Sequence, residues 1–252
     1  MAAGGERLTW VGHATVVVEL GGARAITDPV LRRRVAHLVR HGSAPAPGVA
    51  SGLDGVLLSH LHLDHADARS LRRIDRDVTV LAPSGAGGIL QRLGFRHIRE
   101  VAPGARVELG GMSVTAVPAT HDGRRHPLAD AAGAIGFVAA GARRVYFAGD
   151  TDLFAGMEDL ADDLDVALLP VWGWGPTLGP GHMDPRTAAE AAALLRPRMA
   201  VPVHWGTLYP AGLARWRSAA LTEPGRAFAR HAAELAPGVE VRVLTPGETL
   251  EL

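Results

Sequence analysis

Short apolar runs separated by glycines and polar turns dominate the first half of the chain. Runs such as Thr15–Leu20 and Met112–Val117 have the length and the β-branched content of buried strands. Helical patterns become more frequent in the second half. The clearest spans Pro185–Leu195, with Asp184 placed to cap its first turn. The pattern predicts an α/β (α+β layered) fold in which two mixed sheets lie between helices.

The stretch from residue 28 to residue 52 is a long interruption of this pattern. It contains Arg32-Arg33-Arg34 and the proline- and glycine-rich segment Pro45–Gly48. A structureless connection of this length is uncommon in a compact domain, so we predict a flexible loop or a lid over a site. No linker separates two independent cores, and residues 1–252 are therefore predicted to form one domain.

Composition excludes several kinds of chemistry. The chain has 252 residues, with 26 Lys+Arg against 26 Asp+Glu, and it contains no cysteine. It also lacks lysine, so its basic residues other than histidine are all arginines. These absences rule out disulfides, thiolate nucleophiles and lysine Schiff bases. The balanced charge gives no overall basic field that would attract nucleic acid, so we expect no nucleic-acid partner.

The beginning of the chain and its apolar runs bear on localisation. The first ten residues show no basic segment followed by an apolar one, as a secretory signal would require. No uninterrupted apolar run approaches the roughly 20 residues of a membrane span. We therefore expect a cytoplasmic protein without a transmembrane segment.

A dense cluster of potential metal ligands follows the apolar run Gly55–Leu58. Within six consecutive positions the chain places His60, His62, Asp64 and His65. Imidazole and carboxylate groups suit zinc and similar first-row metals. A loop at a strand end can turn all four side chains toward one point, whereas a continuing strand would alternate them between two faces. The alternative, a solvated polar loop, rarely reaches this composition and spacing by accident.

Three later residues repeat this context, each at the end of an apolar strand pattern. They are His121, Asp150 and His204. Any one of them alone is a weak indication, because a single histidine at a strand end is commonly a hydrogen-bonding residue. Together with the first cluster they make seven candidate ligands, enough for two divalent ions with open positions for water. Zinc is the ion we expect, with manganese or iron(II) as alternatives.

These motifs resemble those of the metallo-β-lactamase-fold superfamily of metal-dependent hydrolases. The matching pieces are His60-x-His62-x-Asp64-His65, His121, Gly149-Asp150-Thr151 and Val203-His204-Trp205-Gly206. Further segments are most similar to the branch that contains N-acylphosphatidylethanolamine-hydrolysing phospholipase D and the ascorbate-phosphate lactonases: Trp10–Thr15, Thr27–Pro29 and Gly181–Pro185. The resemblance runs from about residue 8 to about residue 208. It implies an αββα sandwich of two mixed β-sheets flanked by helices.

The resemblance also implies how the ligands are shared between two ions. His60, His62 and His121 would hold one ion, Asp64, His65 and His204 the other, and Asp150 would bridge them. Asp28 matches an early aspartate that supports the ligand loop from behind, by accepting a hydrogen bond from a metal-bound histidine. His13 and His182 could each donate to a substrate oxygen or to a leaving group. A purely structural hydrogen bond near the site is the alternative for both.

A shared water on two ions loses a proton near neutral pH, because its pKa falls from 15.7 toward ~7. The expected reaction is attack by this hydroxide, with Asp64 and His182 as the catalytic side chains. Exposed tryptophans would form an apolar wall for the substrate, and Arg124 could bind an anionic group. The tryptophans proposed for this wall are Trp172, Trp174 and Trp205. Packing of these rings into the core, and a surface role for Arg124, are the alternatives.

Three functions remain open at this point. The first is a phosphodiesterase or phospholipase-D-like hydrolase acting on a small-molecule or lipid-like substrate, which the branch resemblance favours. The second is a lactonase or another carboxylic-ester hydrolase that uses the same metals. The third is a non-catalytic metal-binding or nuclease-associated module. The complete ligand set and the neutral net charge argue against this third possibility.

Overall fold

The computed structural model describes residues 5–123, 132–175, 177–215 and 218–252. Within these ranges the strands, numbered in chain order, form two seven-stranded sheets and one three-stranded sheet. In spatial order the first sheet contains β17 (Thr249–Glu251), β1 (Arg7–Gly12), β2 (Thr15–Leu20), β3 (Ala23–Thr27), β6 (Gly55–Leu57), β7 (Thr79–Pro83) and β8 (His97–Val101). The second contains β16 (Glu240–Val241), β14 (Met199–Val203), β13 (Val166–Pro170), β12 (Arg144–Phe147), β11 (Ile135–Ala140), β10 (Met112–Pro118) and β9 (Arg106–Leu109). The small sheet contains β15 (Leu208–Pro210), β5 (Leu38–Arg40) and β4 (Arg34–Val35).

Both large sheets are mixed, as predicted. In the first sheet β1, β2 and β3 pair antiparallel, whereas β3, β6, β7 and β8 pair parallel. In the second sheet β9 to β12 pair antiparallel, and β12, β13, β14 and β16 pair parallel. The carboxyl ends of parallel strands lie at one edge of a sheet, where loops can meet and bind a ligand. Each large sheet therefore has an edge suited to a site.

The helices cover the outer faces of the two large sheets. They are α1 (Ala68–Leu71), α2 (Gly87–Arg92), α3 (Pro185–Leu195) and α4 (Glu223–Leu235), with short 3-10 helices at Met157–Leu160, Leu213–Arg215 and Ser218–Leu221. Strand β2 illustrates the layering, because Val16 and Val18 belong to the core between the sheets and Val17 to the core under α1 and α2. The core between the sheets is continuous with the apolar layer under α3 and α4, where Phe228 of α4 is fully buried. The predicted four-layer sandwich is confirmed.

The predicted helix Pro185–Leu195 is confirmed, but two strand regions need correction. The stretch from residue 28 to residue 52 is not wholly irregular, because β4 and β5 form a hairpin that pairs with β15. Strand β17 was not predicted. Both strand errors have one cause: such short strands are stabilised by partners far away in sequence, which local patterns do not reveal.

The described part of the chain contains no helix that combines the length and the apolar character needed to cross a bilayer.

Substitution Asp184→Ala should lower the free energy of unfolding by about 1 kcal/mol, the typical value of an N-cap. The Asp184 carboxylate accepts hydrogen bonds from the backbone N–H groups of Arg186 at 2.8 Å and Thr187 at 2.9 Å. In return, Thr187 Oγ1 accepts one from the Asp184 N–H at 2.8 Å. Urea titration measures the change. Glu190→Ala on the same helix removes only a surface pair with Arg186, at 3.4 Å, and should cost less than about 0.5 kcal/mol. Equal losses in the two variants would contradict the capping role.

Candidate metal centre

The structure brings the seven candidate ligands together at the ends of β6, β10, β12 and β14. Ligand atoms of His60, His62 and His121 all lie within 4.8 Å of one another. A second group with the same spacing contains His13, Asp64, His65 and His204. Asp150 lies between the groups, with Oδ2 3.2 Å from His65 Nε2 and 3.9 Å from His60 Nε2, and with Oδ1 3.2 Å from His204 Nε2. The candidate ligands therefore lie in two neighbouring groups with Asp150 between them, and their division between two ions stays a prediction.

Four of the histidines are oriented by hydrogen bonds on their outer side. His60 Nδ1 donates to Ser59 Oγ at 2.9 Å, and His65 Nδ1 donates to Asp28 Oδ2 at 2.7 Å. His121 Nδ1 donates to Gly181 O at 2.9 Å, and His204 Nδ1 donates to Trp172 O at 2.7 Å. A proton on Nδ1 leaves Nε2 as an unprotonated acceptor in the neutral ring. All four Nε2 lone pairs therefore point inward.

The inward atoms fit a cation and lack other partners. His60 Nε2 and Asp150 Oδ1 are buried without a hydrogen bond. His65 Nε2 lies 3.0 Å from His204 Nε2, and His62 Nδ1 lies 3.2 Å from His121 Nε2. Two lone pairs at such distances repel each other unless a proton or a metal ion lies between them. Imidazole nitrogens and carboxylate oxygens in this arrangement are the donor set of a first-row divalent ion.

The charge states of the cluster agree with this fit. Burial lowers the pKa of His60, His62 and His121 and lowers that of His204 to about 3, which keeps these rings neutral and able to bind metal. Burial also opposes a charge on His65, but Asp150, Asp64 and Asp28 outweigh it and raise its pKa well above the usual value. The centre therefore attracts positive charge.

The two carboxylates of the centre stay ionised. Burial alone would raise the pKa of Asp64 and Asp150. Nearby histidines, chiefly His65 for Asp64 and His204 for Asp150, more than offset the burial and hold both pKa values below the ordinary range. Ionised carboxylates are the form that binds a metal ion.

Asp28 and His13 each form a hydrogen bond with a candidate ligand side chain. The Asp28 carboxylate is fully buried and accepts hydrogen bonds from Ser59 N at 2.8 Å and Ser59 Oγ at 2.5 Å, besides that from His65. This is the contact that its predicted supporting role requires. His13 is also buried, and its Nε2 donates to Asp64 Oδ2 at 3.0 Å. His13 therefore orients Asp64, and it does not line the cavity described below.

His182 is placed differently, because it reaches the cavity. Its Nδ1 donates to the carbonyls of Gly179 and Pro180, each at 3.2 Å, and its Nε2 lies 3.5 Å from Asp150 Oδ2. Burial opposes a charge on this ring, yet the interactions with Asp150 and the two carbonyls raise its pKa. His182 can therefore present a proton both to Asp150 and to a molecule in the cavity.

A cavity of about 500 Å³ opens directly onto the ligand cluster. Its floor includes His62, Asp64, Asp150 and His204, and its walls include Val35, Leu38, Leu63, Trp174 and Leu178. The β4–β5 hairpin supplies one wall, so the stretch predicted as a loop or lid does border the site. His37 also lines the cavity and packs edge-on against Trp174 at a ring-centroid distance of 4.8 Å. No local motif marked His37, and only the length of its segment hinted at a role.

Among the described residues predicted to bind substrate, Trp174 lines this cavity and Trp205 does not. The Trp205 ring stacks on Trp10 at 5.6 Å and the residue is 8% exposed, which agrees with the alternative of packing into the core. Trp172 packs against the core and donates from Nε1 to Gly175 O at 3.1 Å. It serves the site through its carbonyl, which holds His204. Arg124 lies outside the described residues.

Asp67, two positions after the ligand cluster, is the N-cap of α1. It is buried and pairs with Arg32 at 2.7 Å.

Comparisons with known proteins show what the chain is similar to as a whole. Residues 23–205 match the family model described as a β-lactamase superfamily domain. The chain is 31% identical to a UPF0173 metal-dependent hydrolase of Methanopyrus kandleri, over 97% of this chain and 99% of that protein. It is also 31% identical to N-acyl-phosphatidylethanolamine-hydrolyzing phospholipase D 1 of Caenorhabditis elegans, over 81% of this chain and 64% of that protein. The solved structure of Igni18, a metallo hydrolase of Ignicoccus hospitalis, superposes with a TM-score of 0.73 at 26% identity, covering 99% of both chains.

The family match covers most of the chain and contains all seven candidate ligands, from His60 to His204. The full-length similarity to metal-dependent hydrolases leaves no large segment outside the shared domain. The chain belongs to the β-lactamase superfamily and is a metal-dependent hydrolase.

Proposed function

We propose that this hydrolase binds two divalent ions, zinc in the first instance, and cleaves a phosphodiester that carries an apolar group. The observation that carries the proposal is the charge of the donor set. Two divalent ions bring four positive charges, while the ligands contain only two carboxylates, Asp64 and Asp150, among imidazoles that bind metal in their neutral form. Asp28 offsets a third charge from behind His65. Before a water on the ions loses its proton, one positive charge remains, and an anionic diester can match it.

The residues present fit the two ions, since His60, His62 and His121 would hold one and Asp64, His65 and His204 the other, with Asp150 between them. When bound, such ions lower the pKa of a water to ~7 and polarise the phosphoryl oxygen. His13 keeps Asp64 in place through the hydrogen bond to Oδ2, so that its carboxylate faces the cavity floor.

His182 is the residue that we assign to the leaving group. Its Nδ1 is held by main-chain carbonyls, which leaves Nε2 directed toward Asp150 and the cavity. A protonated Nε2 can donate to the departing oxygen and so neutralise the charge that develops there. Asp64 stays ionised and lines the same cavity, where it can orient the attacking water by accepting its hydrogen bond.

The walls of the cavity support an apolar group on the substrate. Val35, Leu38, Leu63, Trp174 and Leu178 line the cavity, and Leu63 is 44% exposed, so apolar surface there is open to a ligand. A lipid-like or aryl diester would place its apolar part here and its phosphate over the ligand cluster. The phospholipase D relative acts, by its name, on a substrate with this division between phosphate and apolar chains.

A lactone or another carboxylic ester is the second candidate. The described residues that line the cavity include no arginine, so a bound phosphate would rely on the two ions and His182 for its charge. A neutral ester needs no further cation, which favours this alternative. The same ligands and the same proton donor would serve it.

Purified wild-type protein should contain about two metal ions per chain and hydrolyse bis(4-nitrophenyl) phosphate. His62→Ala removes an imidazole from the first triad, so we expect the loss of at least one ion and a fall in kcat/KM of at least about 100-fold. Elemental analysis and a chromogenic assay measure the two effects. His97→Ala, on the exposed part of β8, is the matched control and should change neither.

The substrate panel should also contain a γ-lactone and a 4-nitrophenyl carboxylic ester. Turnover of these esters alone, by protein that holds both ions, would favour the second candidate. A fully loaded protein that acts on none of these substrates would contradict both proposals.

Trp174→Ala should weaken binding of substrates with long apolar groups. A ring contact of about 60 Å² contributes about 1.5 kcal/mol, so KM should rise about tenfold for 4-nitrophenyl octyl phosphate. KM for 4-nitrophenyl methyl phosphate should stay nearly constant, because the methyl group does not reach the wall. Steady-state kinetics of the two esters test this prediction. An equal change in KM for both substrates would indicate that Trp174 supports the site and does not contact the octyl group.

A further inference from the structure

Arg40, in the β4–β5 hairpin, is a buried cation without an acidic partner among the described residues. Its side chain is 3% exposed, and burial lowers its pKa to about 10, with no carboxylate opposing the change. The guanidinium donates instead to three main-chain carbonyls: Val11 O at 3.0 Å, Val30 O at 2.5 Å and Arg32 O at 3.4 Å. Burial of an unpaired charge is costly, so these contacts must contribute substantially to the native arrangement.

Two of the three carbonyls belong to residues that lie two positions from His13 or Asp28, whose side chains orient candidate metal ligands. Val11 is two residues before His13, which donates to Asp64. Val30 is two residues after Asp28, which accepts from His65. Arg40 thus joins the two segments that orient one ligand triad, although it touches none of the ligands itself.

Both of these segments have strained backbones. His13 has a φ of 55° and Asp28 a φ of 32°, in a region that residues with a side chain rarely adopt. Such conformations cost on the order of 1–3 kcal/mol each and persist only where surrounding contacts impose them. A charged donor on a neighbouring carbonyl is one such contact, and it is stronger than a neutral hydrogen bond.

Gly12 allows the guanidinium to approach this closely. A Cβ atom built on Gly12 would lie 2.7 Å from Arg40 Nη1 and 2.8 Å from Thr207 Cγ2. Thr207 in turn accepts from His13 N at 3.0 Å through its Oγ1, and its carbonyl accepts from His41 N at 2.7 Å. The hairpin, the His13 turn and the segment after His204 therefore meet around one side chain.

We propose that Arg40 is a positioning residue for the metal centre, a fork-shaped clamp that holds the His13 and Asp28 segments in their strained conformations. The inference rests on the proposed metal site and extends it to a residue outside the ligand set. Its consequence is that loss of the clamp frees Asp64 and His65 to move and weakens the hold on metal, beyond any general loss of stability.

Metal release provides the test. Zinc-loaded wild-type and Arg40→Met proteins are mixed with the chromogenic chelator 4-(2-pyridylazo)resorcinol, and the release rate is followed under native conditions. We expect release to be about tenfold faster from Arg40→Met, the lower end of the effect of residues that orient metal ligands. The rise in Tm that zinc produces over metal-free protein should also become smaller.

Arg76→Met is the matched control. The Arg76 guanidinium also donates to three main-chain carbonyls, those of Leu71, Ile74 and Arg72 at 2.8–2.9 Å, and it stacks on Phe95, apart from the ligand segments. Its loss should lower Tm equally with and without zinc and leave the release rate unchanged. Arg40→Met behaving in the same way would overturn the proposal.

Arg40→Lys separates the clamp from the charge and serves where the methionine variant does not fold. A lysine keeps the positive charge, but one ammonium group cannot reproduce the fork of donors on separate carbonyls. Faster zinc release from this variant supports the clamp, and release at the wild-type rate contradicts it. Wild-type protein that takes up no zinc would instead refute the metal site itself, so the two failures are distinguishable.

Discussion

The candidate site depends on a single electrostatic constraint, the convergence of four imidazole lone pairs that outward hydrogen bonds hold in place. The acceptors of those bonds are Ser59 Oγ, the Asp28 carboxylate, Gly181 O and Trp172 O. They come from four separate segments, so no local part of the chain could create the arrangement alone. Held at 3.0–3.2 Å, the inward nitrogens are stable only with a cation or a proton between them. By orienting the histidine rings, the hydrogen bonds around the site therefore favour a cation or a proton at its centre.

The two mixed sheets supply these segments from opposite sides. In the first sheet, Asp28 follows β3 and the His60–His65 loop follows β6. In the second, Asp150 follows β12, Trp172 follows β13 and His204 follows β14, all within its parallel part. Because parallel strands end at a common edge, the packing of the sheets brings these loops together. A rigid scaffold of this kind can carry strained residues such as His13, Asp28 and His204.

The floor and the walls of the cavity would bind different parts of a substrate. The floor contains ligands and His182, which interact with charged groups. The walls come from the β4–β5 hairpin, Leu63 and the Trp174 loop, which contact apolar groups. The hairpin pairs with β15, and its Arg40 side chain donates to carbonyls of the segments that contain His13 and Asp28. The wall that would distinguish substrates is thereby coupled to the segments that orient Asp64 and His65.

Sequence alone determined the donor types, the layered fold and the α3 cap, because each depends on neighbouring residues or on a compact motif. It also placed Asp28 and His13 beside the ligands. Only the tertiary structure decided which tryptophan faces the cavity, that His37 and a hairpin form its wall, and that Arg40 joins the supporting segments. These properties depend on contacts between residues far apart in the chain and on the side to which each ring points, which a one-dimensional pattern does not encode.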